Sequence, residues 1–244
     1  DTGMSRIGFP CTGSGADEVE KISRLFDVIL EGIFTHYASA DETDRSFTEL
    51  QLSRFGEFIK LLESRGVDIP IKHTANSAAI MEYPETVFNM VRPGIITYGL
   101  YPSAEVDKSK LSLVPAMELK THVAYVKYIE KDDTVSYGRT FCADRKMKIA
   151  TIPVGYADGY PRLLSNKGRV IINGEYAPIL GRICMDQFMV DVSHIKDICE
   201  GDSVTLIGRD GGCCISAEEI AEYAQTINYE IICGIGKRVP RVFF

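Results

Sequence analysis

Asn89-Met90-Val91-Arg92-Pro93-Gly94-Ile95-Ile96-Thr97-Tyr98-Gly99-Leu100-Tyr101-Pro102-Ser103, residues 89–103, divides the chain. Before it, helical and strand patterns alternate; after it, short strand patterns dominate. Within it, Arg92 is followed by a proline, a glycine and an apolar run (Ile95, Ile96, Tyr98, Leu100) that reads as a buried strand. An Arg-Pro-Gly turn beside such a strand puts a fixed cation and exposed backbone N–H groups in one place. That combination suits an anion or a polarised ring. The same residues also fit a surface charge ahead of a core strand, because charged side chains are mostly exposed. Local pattern leaves both readings open.

Upstream, residues 1–15 read as a glycine-containing loop. Residues 17–25 read as a helix with Val19, Ile22 and Leu25 on one face and Asp17 as its cap. Residues 28–35 form a compact apolar run, a buried strand ending at His36. Residues 46–66 carry Phe47, Leu50, Phe55, Phe58 and Leu61 at helical spacing, and Gly66 ends the helix. A short strand over 69–72 leads to His73-Thr74-Ala75-Asn76-Ser77, and a short helix over 78–82 stops near Pro84. This alternation predicts a parallel α/β organisation with three strands. His36, Ser77 and Arg92 then gather at C-terminal strand ends, the face where β/α barrels build their sites. Polar residues also end strands for no functional reason.

Downstream, residues 117–129 alternate as a strand, and further strands are predicted over 148–154, 169–176, 183–192 and 203–207. Asn173-Gly174 is a strong hairpin signal. Residues 216–225 read as a helix, with Ser216 and Glu219 in capping-box spacing. The pattern divides the chain into an α/β part over 1–107 and a β-rich domain over 108–244.

The chain has 244 residues, 45% hydrophobic and 25% charged, which is ordinary globular composition. A net charge of −7 argues against nucleic acid as partner. Seven scattered cysteines form no C-x-x-C pair and no Cys/His spacing suited to zinc, so no metal is predicted. No signal peptide or membrane-length apolar run is seen, and reduced thiols fit a cytoplasmic protein. The opening Asp1-Thr2-Gly3-Met4 reads as the end of a strand whose beginning is missing, which suggests a fragment or a processed chain.

Several stretches can carry chemistry, and each has a plainer reading. Tyr137, in Val135-Ser136-Tyr137-Gly138, acts as a base only if cations lower its pKa; interface tyrosines are more common. Gly155-Tyr156-Ala157-Asp158-Gly159 either presents Tyr156 or simply connects strands. Gly181-Arg182-Ile183-Cys184-Met185-Asp186 holds a thiol with no local histidine partner, so a catalytic thiol is not favoured. The Met185 backbone N–H suits a carboxylate. His36 and His73 each fit structural histidines, and His122 and His194 receive no role.

Taken together, these stretches resemble the alanine racemase family. The matching segments are Asp1 to Gly8, Thr35-His36-Tyr37-Ala38, His73 to Ala78, Val91 to Ile95 with Tyr98-Gly99, Val135 to Gly138, Gly155 to Gly159, Gly181 to Asp186 and Arg238-Val239-Pro240-Arg241. The resemblance implies a pyridoxal 5'-phosphate enzyme supplying D-alanine for peptidoglycan. It implies a (β/α)8 barrel, of which this chain carries the C-terminal half, followed by a β-rich domain. It also implies a head-to-tail homodimer with shared active sites. Carried over, Tyr137 is the base on the L-face, given by the partner subunit. Arg92 faces the pyridine nitrogen, and His36 hydrogen-bonds Arg92. Ser77, Gly94 and Ile95 bind phosphate; Arg6 and the Met185 backbone hold the substrate carboxylate; Asp41, Tyr156, Arg162, Arg182 and Ile235 line the entrance.

Three departures accompany the resemblance. The family's cofactor lysine, in a Val-x-Lys-Ala-Asn-Ala-Tyr-Gly type motif, does not occur in these residues. A modified lysine that supports the carboxylate-binding arginine would fall two residues before Asp1. Lys237 stands where the family often has a tyrosine near the phosphate, and as a cation it suits that group. The resemblance therefore predicts that this chain alone is inactive and that an associated N-terminal barrel fragment completes it. A catalytically inactive folding or dimerisation module is the alternative from another class. A related serine racemase is disfavoured because Met185 offers no partner to a serine hydroxyl. A fold-related decarboxylase is disfavoured because its glycine-rich phosphate motif is not seen.

Overall fold

A computed structural model describes residues 1–243. The chain forms two compact units, Asp1–Ala116 and Met117–Phe244. The division falls later than the 107/108 boundary read from sequence, so residues 108–116 go with the first unit. They are tied there by the Ala116 N–H, which donates to Tyr98 O at 3.0 Å. Gly99, at φ 74°, permits the approach: a Cβ there would lie 1.7 Å from Val114 O.

In the first unit, helix α1 (Gly13–Ser23) is capped by Thr12, whose hydroxyl accepts from Gly15 N, and not by Asp17. It buries Ala16 and Val19 against Phe58 and Leu62. Strand β1 (Gly32–Phe34) and strand β2 (Ile71–His73) pair in parallel, Phe34 opposite His73. Helix α2 (Ser46–Ser64) connects them and buries Thr48, Gln51, Phe55, Phe58 and Leu62, a stripe at helical spacing. Helix α3 (Ser77–Glu82) follows β2, its first turn capped by Asn76, which accepts from Ala79 N at 3.0 Å.

The third strand predicted over the apolar run is not formed. Ile95–Tyr98 is a 3₁₀ turn between Gly94 and the left-handed Gly99. Thr97 N donates to Gly94 O at 3.0 Å, and its hydroxyl donates to the same oxygen at 2.6 Å. Ile95 and Leu100 are buried as expected, whereas Tyr98 is 55% exposed. The preceding residues run along β2 through side-chain pairing. Lys72 N donates to Asn89 Oδ1 at 2.7 Å, Asn89 Nδ2 to Pro70 O at 2.6 Å, and Arg92 N to Ala75 O at 3.0 Å. Those bonds fix Arg92 beyond the β2 terminus.

The second unit is β-rich. Strands β3 (Leu119–His122) and β4 (Tyr125–Ile129) replace the single strand predicted over 117–129. The break arises because β3 pairs with one strand and β4 with another. Strands β5 (Thr134–Val135) and β6 (Phe141–Cys142) form a small ladder. The main sheet adds β7 (Met147–Ile152), β8 (Arg169–Ile172), β9 (Glu175–Leu180), β10 (Phe188–Asp191), β11 (Ser203–Asp210) and β12 (Cys213–Ile215). Its order is β12-β11-β8-β9-β10-β7-β4, with β3 also on β11. Asn173 and Gly174, at φ 51° and 76°, make the two-residue β8–β9 hairpin as the sequence predicts. The strand predicted over 183–192 is formed only from Phe188 onward, because Cys184 N turns back to Gln187 O at 2.9 Å.

Helix α4 (Ala217–Ala224) is capped by Ser216, which accepts from Glu219 N at 3.2 Å. The reciprocal half of the capping box is not formed: the Glu219 carboxylate takes two bonds from Arg169, at 2.8 and 3.2 Å. Helix α5 (Asn228–Gly234) has no counterpart in the sequence reading. The core consists of fully buried residues from neighbouring strands of this sheet, among them Val170, Ile172, Ala177, Phe188, Val190, Val204 and Leu206. Among the described residues no helix is long and apolar enough to cross a membrane, no group of three or more acidic, cysteine or histidine side chains suits a metal ion, and all seven cysteines are free.

Candidate active site

Arg92 is the focus of the first unit. Its Nη2 donates to Thr35 O at 2.8 Å, to Thr74 O at 3.1 Å and to His36 Nδ1 at 3.3 Å. Its Nη1 donates to His73 Nδ1 at 2.5 Å and to His73 O at 3.3 Å. The acceptors come from the residues that end β1 and β2, so the parallel pair converges its carbonyls on one guanidinium. One face of the guanidinium lies over Phe34, at 5.1 Å, and Phe34 stacks on His73. Among the described residues, Arg92 Nε has no hydrogen-bond partner. It is the donor left for a ligand.

The two imidazoles must be neutral to accept from a guanidinium, which carries only donors. Their surroundings favour that form. Burial lowers the His36 pKa most, and the Arg6 and Arg92 cations lower it further. Burial followed by the Arg92 charge lowers that of His73. His73, assigned no role from the sequence, is thus the closer histidine partner of Arg92. The signal that could have found it is its place at the end of β2, directly before Thr74-Ala75-Asn76-Ser77.

Beside this cluster, Ser77 Oγ accepts from Gly94 N at 2.9 Å. The Ile95 N–H opens the 3₁₀ turn and has no partner among the described residues. A hydroxyl and adjacent N–H groups so placed can grip a phosphate. Arg6 leaves a loop tied by Asp1 Oδ1, which accepts from Gly3 N and Ser5 N at 3.0 Å each. Asp41 is held through its carbonyl, which accepts from Ser103 Oγ at 2.7 Å. Arg6, His36, Ser77, Arg92, Gly94 and Ile95 therefore belong to one unit, together with Asp41.

The second unit gathers the remaining candidates on linked loops. Tyr137 is 72% exposed between β5 and β6. Its neighbours Ser136, Gly138 and Arg139 have φ of 65°, 73° and 51°. Ser136 Oγ donates to Arg182 O at 2.5 Å and lies 3.4 Å from Cys184 Sγ. The Arg182 guanidinium lies over Gly138, where a Cβ would come within 3.3 Å of Arg182 Cζ. Tyr156 N donates to Cys184 O at 3.2 Å, and Ala157 N to Met185 O at 2.8 Å. Gly155 permits that contact, since a Cβ would meet Cys184 O at 2.3 Å. The Met185 N–H is without a partner among the described residues.

Arg162 joins the same network through Ser165, whose hydroxyl donates to Arg162 O and accepts from Ile183 N at 3.0 Å. On the other flank, Gly236 N donates to Asp158 O at 2.9 Å, and Arg241 Nη2 to Ile235 O at 2.8 Å. This places Ile235 against the Gly155–Gly159 loop, and Lys237, two residues on, is exposed. Ser136, given no role in the sequence reading, ties the segment before Tyr137 to Arg182 O. A serine gives no sequence sign of a left-handed conformation.

The family model for the alanine racemase N-terminal domain matches residues 1–102, and that for the alanine racemase C-terminal domain matches residues 116–243. Alanine racemase 1 of Clostridium acetobutylicum is 53% identical over 243 residues, covering 100% of this chain and 63% of that protein. Alanine racemase of Methanococcus maripaludis is 50% identical over 243 residues, covering 100% of this chain and 65% of that protein. Among solved structures, alanine racemase of Clostridium difficile is 44% identical with a TM-score of 0.94, over 98% of this chain and 62% of that one. Alanine racemase from Bacillus anthracis with bound L-Ala-P is 43% identical with a TM-score of 0.94, over 100% of this chain and 63% of that one. The chain spans less than two thirds of the length of these relatives. With both domain models matched in order, the chain belongs to the alanine racemase family.

Proposed function

We propose that the protein takes part in the pyridoxal 5'-phosphate-dependent interconversion of L- and D-alanine, supplying D-alanine for peptidoglycan. The observation that carries this reading is Arg92, fixed by converging acceptors with its Nε donor unpartnered. A guanidinium does not give up its proton at neutral pH, so it suits an unprotonated ring nitrogen as acceptor. The Ser77 hydroxyl and the Ile95 N–H suit the phosphate, with the Gly94 N–H, which donates to Ser77 Oγ, beside them; Lys237, in the second unit, is a cation of the kind a phosphate takes. The donor set therefore fits the cofactor. Bound pyridoxal phosphate supplies an electron-withdrawing ring that lets the substrate Cα lose its proton.

The chain's own residues then divide the work. Arg6 holds the substrate carboxylate, and the unpartnered Met185 N–H, brought like Tyr137 by the partner subunit's β-rich domain, is the second donor to it. Tyr137, from the partner subunit of a head-to-tail homodimer, takes or returns the Cα proton on the L-face. Asp41, Tyr156, Arg162, Arg182 and Ile235 border the entrance. Met185 offers no hydrogen-bond partner to a substrate hydroxyl, which favours alanine over serine. The first unit serves as part of a β/α barrel, and the protein works in the cytoplasm.

The family's cofactor-lysine motif is not among the 244 residues. On this reading they do not turn over alanine by themselves. The test follows the optical activity of L-alanine with pyridoxal phosphate, for the 244 residues and for the same residues joined to a relative's lysine-bearing segment. The expected result is decay to zero rotation in the joined protein only. Persistent rotation there contradicts the racemase reading, and turnover by the 244 residues alone contradicts the lysine assignment.

A further inference from the structure

Gln51 sits in the second turn of α2 and is fully buried, 0% exposed. A buried primary amide is costly unless its donors and acceptor are used. Here all its partners are backbone or hydroxyl groups next to the candidate site. Its Oε1 accepts from Ala38 N at 2.9 Å, and its Nε2 donates to His36 O at 3.0 Å and to Thr2 Oγ1 at 2.9 Å. Taking the carbonyl of one residue and the N–H of the residue two further on is what a neighbouring parallel strand does. The Gln51 amide thus replaces a strand partner just beyond the end of β1.

The third bond extends this hold to the N-terminal loop. Thr2 Oγ1 lies 2.6 Å from Thr35 Oγ1, and Arg54, one turn on from Gln51, donates to Thr2 O at 2.8 Å. Thr35 in turn gives its carbonyl to Arg92. One helix therefore ties together the loop that carries Arg6, the segment that carries His36 and the carbonyl that orients Arg92.

We propose that Gln51 is a positioning residue, one that sets His36 and the Arg6 loop at a fixed separation beside Arg92. The inference rests on the proposed roles of Arg6 and Arg92 for its meaning in the reaction, but its test needs neither cofactor nor turnover. The charged groups facing His36 are Arg6 and Arg92, whereas His73 faces Arg92. If Gln51 holds Arg6 near His36, loosening it removes one cation and some burial from His36 alone. Both changes raise the His36 titration midpoint. If Gln51 only packs α2, His36 and His73 respond alike or not at all.

The experiment is a ¹³C or ¹⁵N NMR titration of the four histidines in the wild-type protein and in Gln51→Leu, Thr2→Val and Thr2→Ser. Thr2→Val removes the hydroxyl that Gln51 and Thr35 share and leaves the Gln51 bonds to His36 and Ala38 in place, so it decides the matter if Gln51→Leu does not fold. The expected result is a His36 midpoint raised by about half a pH unit or more in Gln51→Leu and Thr2→Val, with His73 unmoved and Thr2→Ser like wild type. A folded Thr2→Val protein with an unchanged His36 midpoint overturns the proposal. So does an equal shift of His36 and His73.

Discussion

Arg92 in the first unit and Tyr137 in the second are held by opposite means. Arg92 is half-buried, and its position is set by side-chain bonds to acceptors at the ends of two parallel strands. Tyr137 is exposed, and its position is set by backbone: three left-handed residues around it and the Ser136 hydroxyl on Arg182 O. The first arrangement fixes a charge whose protonation never changes. The second presents a phenol on a rigid tip without enclosing it. The proposed roles ask for this difference: a group that tunes a ring benefits from permanence, whereas a group that exchanges a proton must be reachable.

Removing each anchor should therefore fail differently. Arg92→Leu leaves the carbonyls of Thr35, His73 and Thr74 without their donor, and should cost about 3 kcal/mol in urea unfolding as well as cofactor affinity. Unchanged unfolding would mean that the convergence contributes little. Tyr137→Phe should leave stability near wild type. In the lysine-bearing protein it should slow solvent-deuterium exchange at Cα of L-alanine by about 10²-fold while D-alanine still exchanges. Equal slowing of both would remove the face assignment.

Gly181→Ala sharpens the backbone side of the contrast. At φ 75° a Cβ would meet Val135 O at 2.6 Å, so the substitution should cost about 2 kcal/mol in thermal unfolding and displace the Tyr137 loop. Unaltered stability would show that the loop yields easily. The smallest effect concerns pH. His36 and His73 bind a proton more weakly in the folded chain than in the unfolded one. Between their lowered folded pKa values and the ordinary histidine value of about 6.5, the unfolded state holds more protons, so stability rises with pH there. It should fall as pH drops from about 6.5 through the folded values, and these groups should have no effect above that range. Urea midpoints of Arg92→Leu, which lacks the cation that both imidazoles serve, should vary less across the window.

The same contrast explains what the sequence disclosed. The βαβ order of β1, α2 and β2 was legible because α2 buries a stripe at helical spacing. The β8–β9 hairpin was legible because Asn173-Gly174 permits few other turns. Residues 95–100 misled because Ile95, Ile96, Tyr98 and Leu100 look like a strand, while the left-handed Gly99 and the Thr97 hydroxyl on Gly94 O close a helical turn. Site motifs were readable one by one, and only the family resemblance joined them. His73 and Gln51 were missed for a common reason: their roles arise from bonds to residues distant in sequence, which no local pattern records. Ser136 was missed because its hydroxyl bonds Arg182 O, 46 residues away, which no local pattern records.

The central claim is that Arg92 keeps a cofactor ring nitrogen unprotonated. It is tested most directly by ¹⁵N NMR of ring-labelled pyridoxal phosphate bound to the protein, with Arg92→Glu as the comparison. The account predicts an unprotonated ring nitrogen in the wild type at neutral pH, becoming protonated when a carboxylate replaces the guanidinium. A protonated ring nitrogen in the wild type, or a signal that does not respond to Arg92→Glu, would contradict it.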